Sequence, residues 1–183
     1  MKFIETAISG AWLIEPRVLS DERGFFFRTY CEHEFSEIGF RKNWVQCNYS
    51  VTNYKGAIRG LHYQVPPNAE AKLVRCVKGK IADVIVDLRA NSPTFKKHAL
   101  LELSGENRLS LFIPEGCAHG FQALTDDCHL AYFHSAFYSP EHEEGLRWDD
   151  PMLGISWPIT AQSISERDLQ FPLLTNQFKG IAI

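Results

Sequence analysis

Residues Lys72 to Arg89, KLVRCVKGKIADVIVDLR, constrain the fold of this chain more than any other stretch. Lys78-Gly79-Lys80 breaks an apolar run, so it reads as two strands around a tight turn. In the second strand Ala82, Val84, Val86 and Leu88 point one way, and Ile81, Asp83, Ile85 and Asp87 the other. HALLELS (His98 to Ser104) and RLSLFIP (Arg108 to Pro114) alternate too, with the turn-rich SGEN between them. HLAYFHSAFY (His129 to Tyr138) is a further aromatic strand, and the N-terminal MKFIETAISGAWLIEP reads as one more. Helix is scarce. CEHEFSEIGF (Cys31 to Phe40) predicts a short helix ended by Gly39, and Ser163 and Glu166 have the spacing of a capping box. Many short strands without a long helix predict an all-β sandwich or barrel, and a jelly roll would hide most of its edges.

The chain has 183 residues, enough for one domain (1–183) with its own core. A net charge of -3 argues against a general nucleic-acid binder but leaves room for a local basic patch. No stretch approaches the ~18 apolar residues of a membrane span. Glu5 and Glu15-Pro16 bracket the N-terminal apolar run, so it is too short for a secretory signal and the protein is expected in the cytoplasm. Five cysteines are scattered with no C-x-x-C pair, which predicts reduced thiols.

Two stretches carry candidate chemistry. In IPEGCAHGF (Ile113 to Phe121), Pro114-x-Gly116-x-x-His119 sets a histidine just after a tight turn, at the start of a strand. This resembles the second half-motif of cupin barrels. The first half-motif usually brings two histidines and a downstream Glu to a metal. Here His62-Tyr63-Gln64 and then Glu70 stand in that place. The second histidine is missing and Gln is a poor transition-metal ligand, so no metal is expected.

DERGFF (Asp21 to Phe26), VQCNYS (Val45 to Ser50), RGLHYQ (Arg59 to Gln64), AKLVRCVKG (Ala71 to Gly79), DLRANSPTF (Asp87 to Phe95), IPEGCAHGF and RWDDPMLGISWP (Arg147 to Pro158) follow one another in order. Together they resemble the dTDP-4-dehydrorhamnose 3,5-epimerase family of sugar-nucleotide enzymes, from about Ile4 to Pro172. The resemblance implies a cupin-like jelly roll with a few short helices, a homodimer, and no metal or other cofactor. It implies epimerisation at carbons 3 and 5 of a dTDP-4-keto-6-deoxyhexose. Both carbons flank the carbon 4 ketone, so the reaction needs a base, an acid on the opposite face and a cation for the enolate oxygen.

By this resemblance His62 is the base, Asp168 the carboxylate that orients it, Tyr132 the acid and Lys72 the enolate-stabilising cation. Arg23 and Arg59 suit the pyrophosphate, Gln46 and Asn48 the base or ribose, and Tyr138 the thymine ring. His119, Glu143 and Arg167 are further family positions, and Arg28 stands at another where the family commonly has Glu. The N-terminal strand often crosses to the partner in such folds, which would carry Arg23 to the neighbouring site. Phe133 replaces a frequent Lys, and Gln46-Cys47-Asn48 replaces Gln-Asp-Asn. These departures leave open a single-carbon epimerase or ketoisomerase on a related dTDP- or CDP-4-keto sugar. From another class, a metal-dependent cupin enzyme is the alternative.

The stretch AIRGLHYQVP (Ala57 to Pro66) then poses a geometric test. Strict alternation puts Arg59, Leu61 and Tyr63 on one side and Ile58, Gly60, His62 and Gln64 on the other. The resemblance asks Arg59 and His62 to reach one ligand. A bulge or twist is therefore expected at Gly60.

Overall fold

The structure, a computed structural model, describes residues 1–183. Its strands are β1 (Lys2–Glu5), β2 (Trp12–Glu15), β3 (Leu19–Asp21), β4 (Gly24–Phe26), β5 (Gln46–Thr52), β6 (Ile58–Gln64) and β7 (Lys72–Lys78). There follow β8 (Lys80–Asp87), β9 (His98–Ser104), β10 (Ser110–Ile113), β11 (Cys117–Ala123), β12 (Cys128–His134) and β13 (Glu143–Gly145). The helices are α1 (Glu32–Glu37) and α2 (Glu166–Gln170). Six strands form one sheet in the order β1-β2-β10-β7-β12-β5, and five form the other in the order β13-β6-β11-β8-β9. The two pack as a cupin-like jelly roll, while β3 and β4 make a separate hairpin.

The alternating stretches fold where the pattern places them. β7, β8 and β9 take the residues read as strands, and β8 is buried on both faces. Ile81 and Ile85 enter the core between the sheets, and Val84, Val86 and Leu88 enter a second cluster on the outer face. The inner core also takes Val74, Cys76, Leu111 and Leu130 from the six-stranded sheet. Leu146, Leu153 and Leu174 from the C-terminal third cover the outer face of the five-stranded sheet. Phe35 and Phe40, on and after α1, cover Ile14, Leu73 and Phe112 on the other sheet. Each fully buried aliphatic side chain contributes about 1.5–3 kcal/mol, which offsets the cost of the charges buried nearby.

Two local expectations are corrected. The N-terminal stretch is a hairpin rather than one strand: β1 pairs with β2, Lys2 opposite Glu15 and Glu5 opposite Trp12. Ser9-Gly10 turns the chain inside the apolar run, and the N–H of Ala11 donates to the carbonyl of Ile8. The cap of α2 is Ser165 rather than Ser163. The Ser165 hydroxyl accepts from the N–H of Asp168, so the N-cap-to-N3 relation is Ser165 to Asp168. The α1 reading holds more closely, with Cys31 as N-cap and Gly39 at a φ of +83° just past the end.

Apolar residues fill the sandwich towards β2 and β9. Polar residues fill it towards β5 and β6, and there it opens.

Candidate active site

A cavity of about 300 Å³ lies between the β5 side of one sheet and the β6–β13 side of the other. On the six-stranded sheet, alternation turns Gln46, Asn48 and Ser50 of β5, Lys72 of β7, and Tyr132 and His134 of β12 into it. Opposite them stand Arg59 and His62 of β6 and His119 of β11. Tyr138, Glu143 and Arg167 line it as well, and the phenol of Tyr138 donates to Glu143 at 2.8 Å.

The expected irregularity at Gly60 is present. His119 pairs with His62 and Phe121 with Arg59, so the register between β11 and β6 shifts by one residue across Gly60-Leu61. The bulge puts Arg59 and His62 on the same cavity while Leu61 and Tyr63 pack into the outer cluster. Gly60 has a φ of +119°, and a Cβ there would lie 2.5 Å from Gly120 Cα and 2.7 Å from the carbonyl of His119. Only glycine fits.

Asp168 stands behind His62. Its Oδ1 lies 2.8 Å from His62 Nε2, and its Oδ2 accepts from the N–H of Gly60 at 3.1 Å. Burial alone would push this carboxyl up. The bonds from His62, Gly60 and the α2 cap outweigh burial and hold it below the usual carboxylate range. An ionised Asp168 accepts a hydrogen bond from Nε2–H, which leaves the lone pair of the imidazole on Nδ1, where no protein group engages it. Arg167 Nη2 also approaches Nε2, at 3.0 Å, and the guanidinium donates to Glu143 at 3.0 Å. A protonated Nε2 cannot accept from Arg167, so the Asp168 contact is the one the electrostatics select.

Two more histidine–carboxylate pairs share the cavity. His119 Nε2 sits 3.0 Å from both oxygens of Asp83, a carboxyl raised by complete burial against the opposing pull of His119. His134 Nδ1 lies 2.8 Å from Glu70 Oε2, and Glu70 Oε1 faces Lys72 Nζ at 3.2 Å. Burial acts to raise Glu70 too, but His134 and Lys72 prevail and lower it. The phenol of Tyr132, raised by burial, stays protonated, with Ser50 Oγ at 3.1 Å. Arg59 has no carboxylate partner, and its Nη1 donates only weakly, to the carbonyl of Val51 at 3.3 Å and to Thr52 Oγ1 at 3.4 Å.

Two expected residues lie elsewhere. Arg23, in the β3–β4 turn, is 85% exposed and pairs with Asp21. Arg28 pairs with Glu34 at 2.7 Å. The structure does not bring either to the cavity. The residues weighed as metal ligands are committed otherwise. Gln64 donates to the carbonyls of Asn68 and Phe137 and accepts from the N–H of Ser139, and Glu70 holds His134 and Lys72. No three His, Cys, Asp or Glu side chains are gathered as a metal ion requires. Sequence reasoning missed His134 and the true partners of Glu70. The signal was there: His134 is two residues from Tyr132 and so shares its face.

A profile of the dTDP-4-dehydrorhamnose 3,5-epimerase family matches residues 5–176. The chain belongs to this family. It is thus an isomerase of the epimerase kind. It is 46% identical over 179 residues to the dTDP-4-dehydrorhamnose 3,5-epimerase of Methanothermobacter thermautotrophicus, covering 96% of each chain. The dTDP-6-deoxy-D-glucose-3,5-epimerase of Legionella pneumophila, solved in complex with dTDP-4-keto-L-rhamnose, superposes with a TM-score of 0.91 at 37% identity, covering 100% of this chain and 98% of that one. A 3'-monoepimerase from Streptomyces bikiniensis, solved with dTDP-quinovose, gives 0.85 at 35% identity over 92% of this chain and 85% of that one.

Proposed function

We propose that the protein epimerises carbons 3 and 5 of a dTDP-4-keto-6-deoxyhexose without a cofactor, converting dTDP-4-dehydro-6-deoxyglucose to dTDP-4-dehydrorhamnose. One observation carries the reading. The His62–Asp168 pair is on one sheet's side of the cavity, and Tyr132 and Lys72 are on the other's. A hexose held between the sheets meets a base on one face and an acid on the opposite one.

His62 Nδ1 takes the proton next to the ketone, and the C–H electrons move into the carbonyl to form an enolate. The ammonium of Lys72 neutralises the enolate oxygen. Asp168 stabilises the imidazolium. The phenol of Tyr132 delivers its proton to the opposite face of the carbon, and solvent resets both groups. Arg59, the cation without a carboxylate partner, takes the pyrophosphate with Arg167; Tyr138, about half exposed, stacks on the thymine, and Gln46 and Asn48 hold the nucleoside. His119 contacts the sugar.

Incubation with dTDP-4-keto-6-deoxyglucose in D₂O tests this. Deuterium at carbons 3 and 5 with inversion at both is expected. Folded protein that exchanges neither carbon sinks the reading. The likeness to a 3'-monoepimerase favours a second reading, inversion at one carbon only, and deuterium confined to that carbon selects it.

We further propose one domain over residues 1–183, acting as a cytoplasmic homodimer. The β3–β4 hairpin leaves Leu19, Phe25 and Phe26 exposed, an apolar surface suited to a second copy. Such an arm would carry Arg23 to the partner's cavity. Sedimentation of the protein as a monomer at micromolar concentration would exclude this.

A further inference from the structure

The proposed reaction makes no use of His134 or Glu70, yet the two bridge its nucleotide and sugar ends. Their side chains are 11% and 8% exposed. Beyond its bond to Glu70, His134 presents Nε2 to Asn48 Nδ2 at 3.3 Å. Asn48 Oδ1 accepts from Gln46 Nε2 at 3.2 Å, and Gln46 Oε1 accepts from the N–H of Tyr138 at 3.0 Å. On the other side Glu70 Oε1 holds the ammonium of Lys72, which donates to the carbonyl of His62 at 3.1 Å.

Donors and acceptors along this chain assign in one way only. The N–H of Tyr138 forces Gln46 to present its oxygen there, so Gln46 presents its nitrogen to Asn48. Asn48 must then turn Oδ1 to Gln46 and its amide nitrogen to His134. The ionised Glu70 requires a proton on His134 Nδ1, so Nε2 is free to accept from Asn48. A backbone N–H fixes one end of the relay and an ammonium the other.

We propose that Glu70 and His134 are positioning residues that tie the nucleotide-contacting amide of Asn48 to the enolate-stabilising ammonium of Lys72. The inference rests on the epimerase reading of the cavity. Glu70 is the carboxylate that holds the Lys72 charge in place. Asp83 on β8 is also buried, raised by that burial against the pull of His119 and Lys72. His62 on β6, His119 on β11, and Tyr132 and His134 on β12 are the other titratable groups around it. Without Glu70 the ammonium of Lys72 loses the carboxylate that fixes its direction. Without His134 the Asn48 amide loses its acceptor and is free to turn, while Lys72 keeps its carboxylate.

The test measures kcat and KM for the full chain, with dTDP affinity by calorimetry. Glu70→Gln is expected to lower kcat about tenfold or more, with a smaller change in KM. His134→Leu is expected to weaken dTDP binding and raise KM about fivefold with kcat nearly intact. His134→Gln, whose side-chain oxygen can accept from Asn48, should recover most of that affinity. If Glu70→Gln does not fold, Glu70→Asp replaces it, with an intermediate kcat expected. A wild-type kcat in the Glu70 variant, or equal dTDP affinity in His134→Leu and wild type, overturns the proposal. A wild-type chain that binds dTDP but inverts neither carbon overturns the epimerase reading instead, and the dTDP titrations still decide whether His134 serves Asn48.

Discussion

The N–H of Gly60 donates to Oδ2 of Asp168 at 3.1 Å, across 108 residues of sequence. The same bulge that turns Arg59 and His62 into one cavity therefore also fixes the carboxylate behind His62. Gly60→Ala should disrupt both. The added Cβ meets backbone at 2.5 and 2.7 Å, and the positive φ strains any L side chain. A loss of about 2–5 kcal/mol in stability is expected from strain and overpacking together. Thermal melts and proton exchange on the same preparation check it, and a variant with wild-type values for both would remove the bulge from the explanation of the site.

Asp168→Asn should spare dTDP binding and lower exchange by roughly 10²–10⁴-fold. An amide can present N–H to His62 Nε2, which selects the tautomer with its lone pair facing Asn rather than substrate. It also leaves the imidazolium without a counter-charge. His62→Ala should show a comparable loss with dTDP affinity retained. Calorimetry beside the exchange assay separates the two effects; equal losses of binding and exchange would make His62 a binding group.

Tyr132→Phe should uncouple exchange from inversion. His62 can still remove a proton and return a deuteron to the same face, while nothing donates from the other. Deuterium incorporation with retention of configuration is the expected product, read by NMR. Inversion at the wild-type rate would assign the acid to another group.

The strand pattern was legible where one residue in two is apolar and the turns carry Gly, as in β7 to β9. It failed at the N-terminus, where Ser9-Gly10 turns the chain inside an apolar run and two strands read as one. At α2 two serines compete within three positions, and only the fold decides that Ser165 caps. Periodicity alone did not find the cavity, because its walls come from β5, β6, β7, β11 and β12, far apart in sequence. The ordered motif set found most of it. His134 could be placed by its two-residue spacing from Tyr132, but its pairing with Glu70, 64 residues away, has no local signature. The motif DLRANSPTF helps to carry the family resemblance, and in the structure Asp87, Arg89, Ser92 and Thr94 staple a loop.

That staple gives the last prediction. Asp87 is fully buried and accepts from the N–H of Arg89 at 3.0 Å, from its guanidinium at 2.8 and 2.9 Å, from Thr94 Oγ1 at 2.6 Å and from the Ser92 hydroxyl. Burial pushes the carboxyl up, but these donors outweigh it and hold it at about 2. A carboxyl lowered on folding stabilises the native state above its unfolded pKa, near 4, by about 2 kcal/mol. That contribution fades as pH falls from about 4 towards 2. Asp87→Asn removes the charge and with it the pH dependence. The Tm difference between wild type and Asp87→Asn should be large at pH 7 and shrink between pH 4 and pH 2.5. A difference that stays constant over that range would mean that Asp87 acts by shape and neutral hydrogen bonding, with no part for its charge.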